Sequence, residues 1–326
     1  MRAARCTAWG SPESSVVVEE VPDPEPGAGE VVVDVHYAAV NFPDVLIVAN
    51  EYQVSIPPPF VPGSEWAGVV AAVGDGVTRW APGDRVYGGG FVGAFAEQAL
   101  ASEQGLTAVP DAVDLQSAAA YSVAHTTAYH ALRTIGDLHE GDDVLVLGAA
   151  GGVGLAAVEL ATVLGGRVIA AAGSAAKCAL CLERGADATI DYSTEDLKVR
   201  AKELTGGGAD VVIDPVGGPY SEAALRATTF GARFVVVGFA SGEIPRIPLN
   251  LVLLKGTIVR GFEIRTLGQH LPDEVARDRR EIGELFASGK VRPYISAVHP
   301  LADTAVALRS MLDRTATGKV LIDPRA

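Results

Sequence analysis

The sequence is short of several residue types, and each shortage excludes something. It holds three cysteines, Cys6, Cys178 and Cys181. An odd, sparse set does not build a disulfide framework. Basic residues are outnumbered, 26 Lys and Arg against 40 Asp and Glu, for a net charge of −14. A nucleic-acid partner requires a basic patch, so that class of function is set aside, and the acidity reads as a solubility feature. No apolar run is long and uninterrupted enough to span a bilayer. The opening stretch MRAARCTAWGSPESS lacks the apolar core of a signal peptide. These absences predict a soluble cytoplasmic protein with neither membrane nor nucleic-acid partners. Metal-ligand spacing is missing too. The six histidines are scattered, and the C-x-x-C of Cys178 and Cys181 falls inside a helical pattern with no second Cys or His pair. Both sets read as packing or surface residues.

What is present is apolar surface, 48% of residues, on a chain long enough for two domains. The first third is made of short β-type runs, VVVEEV, EVVVDVHYAAV, GVVAAVGDGV and DRVYGG, separated by turn signals such as PGAGE and APGD. From about Leu115 an Ala-rich helical stretch runs to Gly136, and then strands and helices alternate. The strands are DDVLVLGA, RVIAAAGS, ATIDY, ADVVIDPV and ARFVVVGF; the helices between them are GGVGLAAVELATVLG, AAKCALCLERG, DLKVRAKELTGG and SEAALRATTFG. That alternation predicts βαβ units on a parallel sheet, an α/β fold. After Phe262 follow a charged helical stretch, a short strand near 291–296, a last helix and the strand-like GKVLID.

The sharpest motif is AAGGVG, residues 149–154, placed between a strand and a helix. That is the context a dinucleotide fingerprint needs. Ala149 takes the first glycine position. Gly151 is expected to give the turn its freedom, Gly152 to leave room for a pyrophosphate, and Gly154 to let helix and strand pack closely. Together with Val153 they present the N–H groups of the helix start to an anion. The second strand indicates which nucleotide. An NAD site places an acid near its end, but here the strand runs into AAAGSAAK. Ser174 and Lys177 offer a hydroxyl and a cation to a 2′-phosphate, and so predict NADPH. Two charge-assisted hydrogen bonds would favour it by roughly a hundredfold.

With these residues on the page the chain resembles the zinc-independent quinone oxidoreductases, ζ-crystallin-like members of the medium-chain dehydrogenase/reductase superfamily. The likeness covers essentially the whole sequence and rests on AVNFPDVLIVANEYQ (39–53), PFVPGSEWAGVVAAVGDGVTRWAPGDRVYG (59–88), AAGGVG, AGSAAK and DPVGG (214–218). It implies a GroES-like β-domain over 1–122 and 263–326, with a Rossmann doubly wound parallel-sheet domain over 123–262. It brings Asn41, Asp44 and Tyr52 to the reaction site. Asn41 would fix the nicotinamide ribose or carboxamide, and Tyr52 would either donate to the substrate oxygen or only line the site. It also implies cofactor contacts from Thr127, Gly173, Ser174, Lys177, Tyr192, Gly238, Phe239, the segment Phe262–Ile264, and Lys319. Lys319 could reach the adenosine phosphate or be a surface charge.

In zinc alcohol dehydrogenases a cysteine ligand lies where NFPD lies here, and a histidine ligand lies at Ser64. The loop from Gly88 to Ala99 holds none of the cysteines a structural zinc lobe needs. A catalytic zinc takes three protein ligands, so no metal is expected. Without a Lewis acid the easier chemistry is reduction of an activated double bond, which predicts an NADPH-dependent reductase of quinones or related enones. Arg265, near the site, keeps an enoyl-thioester reductase as the alternative. A third reading is a low-turnover NADPH-binding structural or sensing protein. The apolar strand ARFVVVGF is expected to pair across a two-fold axis in a homodimer.

Overall fold

The eleven residues EVVVDVHYAAV form one long strand, Glu30–Val40, whose valines at 31, 33 and 35 are fully buried. Most of the first β-rich region is built on it. Antiparallel neighbours are Glu65–Val73 on one edge and Lys319–Asp323 on the other, with Gln98–Ser102 pairing to its first half. The sheet of seven strands continues through Arg85–Gly89 and Thr107–Ala108 on one side and Ile295–Pro300 on the other. The computed structural model describes residues 1–326 and divides them into two units, Met1–Val123 with Arg292–Ala326, and Ala124–Val291. Two chain segments far apart in sequence thus share one sheet, and Lys319 is carried to the end of the central strand.

The second unit is a six-stranded parallel sheet. Its strands lie in the order Ala188–Asp191, Arg167–Ala172, Asp143–Leu147, Ala209–Asp214, Thr228–Val236, Ile258–Gly261. Numbered along the chain that is 3-2-1-4-5-6, the doubly wound order. The inner strands are near-continuous apolar runs, because helices cover both faces.

Three sequence expectations need correction. TTFG does not end a helix: the helix Pro219–Arg226 stops early, and Thr228 already begins the β-branched strand Thr228–Val236. ARFVVVGF does not close the sheet, because Ile258–Gly261 lies outside it as the edge strand. The second boundary falls at Arg292, not at 263. The helix Pro272–Ala287 stays with the parallel-sheet unit because buried Asp278 accepts hydrogen bonds from His130 Nδ1 (2.7 Å), Thr134 Oγ1 (2.5 Å) and Arg277. Burial pushes the Asp278 carboxyl up, but these donors outweigh it and hold the group below the usual carboxylate range. No helix is long and apolar enough to cross a membrane.

Candidate functional site

The candidate residues fall into two groups, one in each unit. In the parallel-sheet unit nearly all lie just beyond the carboxyl ends of the strands, where doubly wound sheets bind ligands. Gly151, Gly152 and Val153 follow the first strand and open the helix Gly152–Val163. A Cβ on Gly154 would sit 2.2 Å from the carbonyl oxygen of Gly148, so the helix start packs directly on the turn. The freedom assigned to Gly151 belongs elsewhere. Gly151 has an ordinary φ of −79°, while Gly148 carries the left-handed φ of +56°.

Ser174 follows the second strand and caps the helix Ala175–Glu183, its hydroxyl oxygen accepting from the Lys177 N–H at 3.3 Å. A hydroxyl used this way through a lone pair still has its proton to donate. The ring of Tyr192, after the third strand, covers Gly173: a Cβ there would meet Tyr192 Cε2 at 3.2 Å. Tyr220 in turn packs on Tyr192, ring centroids 4.5 Å apart. Beside the pair lies a cleft of about 560 Å³ lined by Tyr192, Leu197, Gly218, Tyr220 and Arg246 among others. Gly238 and Phe239 follow the fifth strand, and Phe262 and Ile264 follow the sixth. Thr127 is buried on the helix Ser122–His130. Asp214, which the sequence reading passed over, shapes the loop after the fourth strand. Its Oδ1 accepts from the N–H groups of Val216 and Gly217 at 2.9 and 2.8 Å, and its Oδ2 from Ser221. The only signal for it was DPVGG itself. Arg265 is paired with Glu263 at 3.0 Å, and Glu263 also caps the helix Ile264–His270.

In the first unit the ends of three strands converge. Val320 pairs with Val40 and Ala39 with Glu65, so Lys319 and Glu65 flank the last residues of the central strand on opposite sides. Asn41 comes next and starts the helix Phe42–Ala49. The Lys319 ammonium is 3% exposed and donates to Glu65 Oε1 (2.6 Å), Asn41 Oδ1 (2.6 Å) and the Val40 carbonyl (3.4 Å). Its three protons therefore have three acceptors. The ammonium is therefore not a surface charge, and its hydrogen-bond partners all lie in the first unit. It also fixes the Asn41 amide. The oxygen must face the ammonium, and Nδ2 then donates to Glu65 Oε1 (3.0 Å) and Ser64 Oγ (3.2 Å). The other Glu65 oxygen accepts from Ser122 Oγ and the Val123 N–H, each at 2.8 Å.

Asp44 sits in the first turn of the same helix, 1% exposed. Its Oδ2 accepts the Asn41 N–H at 2.7 Å, and its Oδ1 has no hydrogen-bond partner. Burial drives its carboxyl up to about 7, helped by the charge of Glu65 and opposed by the Asn41 N–H, the Ser64 hydroxyl and the Lys319 ammonium. Tyr52 is half-buried and packs on the apolar core of this unit. The backbone at Ser64 is clamped. Gly63 has φ +97° with Phe95 against it, and a Cβ on Gly89 would lie 2.2 Å from the Ser64 carbonyl. That carbonyl also accepts the Gly90 N–H at 3.0 Å. No group of three or more His, Cys, Asp or Glu side chains is placed to hold a metal ion.

A GroES-like β-unit joined to a doubly wound sheet with a glycine-rich first turn defines a medium-chain dehydrogenase/reductase. Residues 27–111 match the alcohol dehydrogenase GroES-like domain and 152–277 the zinc-binding dehydrogenase family. A bovine (Bos taurus) quinone oxidoreductase-like protein 2 is 38% identical over 98% of this chain and 92% of its own length. Quinone oxidoreductase of Pseudomonas aeruginosa is 35% identical over 97% and 98%. The crystal structure of Escherichia coli quinone oxidoreductase complexed with NADPH superposes with a TM-score of 0.90 at 29% identity, covering 99% of this chain and all of the other (100%). The chain belongs to the quinone oxidoreductase family of that superfamily and is an oxidoreductase.

Proposed function

We propose that this protein is an NADPH-dependent reductase of quinones or related α,β-unsaturated carbonyls that works without a metal. The observation that carries the reading is the end of the second strand. No acid stands there, and Gly173 lies under the Tyr192 ring beside the Ser174 hydroxyl and Lys177. The pyrophosphate would lie on the helix start at Gly151–Val153, 2′-phosphate contacts would come from Ser174, Lys177 and Tyr192, and Phe239 and Phe262 would wall the nicotinamide. NADPH, when bound, supplies a hydride. Relatives bearing the quinone oxidoreductase name support the substrate class, and the Escherichia coli neighbour holds NADPH in its crystal structure. The metal-free reading rests on the donor set: Ser64 and NFPD offer neither imidazole nor thiolate. Asn41 Nδ2 aligns Ser64 while its oxygen keeps a lone pair free for the nicotinamide ribose or carboxamide, and Tyr52 would donate to the substrate oxygen or line the site.

NADPH oxidation with 9,10-phenanthrenequinone should be fast and with crotonyl-CoA slow. The reverse order would favour the enoyl-thioester reading. Lys177→Ala should raise the Kd for NADPH roughly tenfold or more while moving NADH little. Equal losses for both nucleotides would refute the phosphate role, and tight NADPH binding without turnover of either substrate would leave the structural or sensing reading.

A homodimer is supported by the open edge of the parallel sheet. Every residue of Ile258–Gly261 is exposed, and Phe230, Leu249 and Leu253 beside it are 84%, 77% and 81% exposed. Unpaired edges with apolar flanks invite pairing. Sedimentation velocity should show a dimer that Val259→Asp combined with Leu253→Asp converts to monomer. A double variant that stays dimeric would move the interface elsewhere.

A further inference from the structure

We propose that Trp9 is a positioning residue of the reductase: its indole N–H latches the strap of residues 51–59 and so holds Tyr52 at the substrate. The inference rests on the reductase reading above, in which Tyr52 meets the quinone or enone. It names the group that keeps that tyrosine in place.

The strap has little to hold it. It leaves the helix Phe42–Ala49 through Asn50, whose φ of +58° turns the chain out, and the Glu51 N–H still donates to the Leu46 carbonyl at 2.8 Å. It is caught again at Phe60, which exchanges backbone hydrogen bonds with Cys6 at 2.8 and 3.2 Å. Between these points residues 53–59 make no backbone–backbone hydrogen bond. Part of the reason is chemical. Pro57, Pro58 and Pro59 have no N–H to give, so this stretch is tied only through a carbonyl or by packing. Two side-chain bonds remain. Ser55 Oγ donates to Asn50 Oδ1 at 2.6 Å, at the root of the strap itself. Trp9 Nε1 donates to the Ile56 carbonyl at 3.0 Å, and this is the one hydrogen bond that ties residues 53–59 to a distant part of the chain.

Trp9 is itself braced on both sides. The Ala8 carbonyl accepts from Cys6 Sγ at 3.2 Å, and the Gly10 N–H donates to the Val48 carbonyl at 3.1 Å. The second bond fastens the tryptophan turn to the helix that begins at Asn41. The latch therefore fixes the strap against the element that carries Asn41 and Asp44. Exposure alternates along the strap: Tyr52, Val54 and Ile56 are half-buried, whereas Glu51, Gln53 and Ser55 face water. Tyr52 and Ile56 pack on the same apolar core, so a shift at Ile56 is passed to Tyr52. The indole is 46% exposed, and water competes for its N–H, so the latch opens without unfolding the unit.

The test separates the N–H from the ring. Trp9→His can place Nε2–H where the indole Nε1–H lies, because imidazole overlays the five-membered ring. Trp9→Phe keeps an apolar ring and has no donor. In turnover of 9,10-phenanthrenequinone, Trp9→Phe should lower kcat/KM about fivefold, while Trp9→His stays within about twofold of the native chain. In a Tyr52→Ala background, Trp9→Phe should lower kcat/KM no further. Trp9→His as impaired as Trp9→Phe, a full loss that persists without Tyr52, or a parallel rise in the Kd for NADPH would each overturn the proposal. A second readout needs no turnover. Chymotrypsin should cut after Tyr52 several-fold faster in Trp9→Phe than in the native chain or Trp9→His, with the site read by mass spectrometry. Equal cutting rates would overturn the latch while quinone turnover stands. If no form reduces phenanthrenequinone or crotonyl-CoA, the reductase reading falls and the catalytic role of Trp9 with it, and the cutting rates still decide the latch.

Discussion

Lys319→Met is expected to destabilise the protein by about 3–5 kcal/mol. The cost lies in what the substitution leaves behind. Glu65 is fully buried and would be left with no cation beside it, and the Asn41 oxygen would lose its donor. Two ions moved out of water are tolerated only while they neutralise each other at close range. Combining Lys319→Met with Glu65→Gln should therefore recover more than half of the loss, because a neutral amide can still accept from Ser122 and Val123. Urea unfolding reads both results as midpoints, provided the slope is unchanged. A double variant no more stable than the single one would place the cost in lost packing of the lysine stem.

The second large effect is expected at Gly154. Gly154→Ala places a methyl 2.2 Å from the Gly148 carbonyl oxygen and 2.8 Å from the Ala149 Cα, both backbone atoms. Neither can rotate away, so the helix Gly152–Val163 must shift off the first strand. Overpacking of this kind costs about 1–3 kcal/mol where side chains can move, and more where backbone must. Nucleotide affinity should fall with it, since the N–H groups of the turn move as the helix moves. Gly151→Ala is the control: its Cβ approaches nothing closer than 3.4 Å and its φ is ordinary. Similar losses at both positions, read by thermal unfolding and NADPH titration, would sink the argument.

Much of this was legible in the sequence because it is local. The switch from β-type runs to alternating strands and helices is a matter of period and punctuation, and the close approach at Gly154 follows from its place in the fingerprint. The buried network was not legible. Asn41, Glu65 and Lys319 are separated by 24 and 254 residues, and only the pairing of three strands puts them in contact. A lysine in TGKVLI looks like any surface lysine until its strand is placed. The edge strand Ile258–Gly261 was hidden for a different reason: four residues after a glycine are too few to show alternation. The helix Pro272–Ala287 reads only as a charged stretch, and nothing in its sequence marks Asp278 as the buried tie that holds it to its unit.

The clamp around Ser64 separates the backbone of this position from its chemistry. With Gly63 held against Phe95 and Gly89 held against the Ser64 carbonyl, the main chain at position 64 has no room to rearrange. A substitution at 64 therefore acts through its side chain alone. A single codon change can then exchange one reactive group for another on an unaltered backbone. The reactive group at this position is thus a choice independent of the fold that holds it.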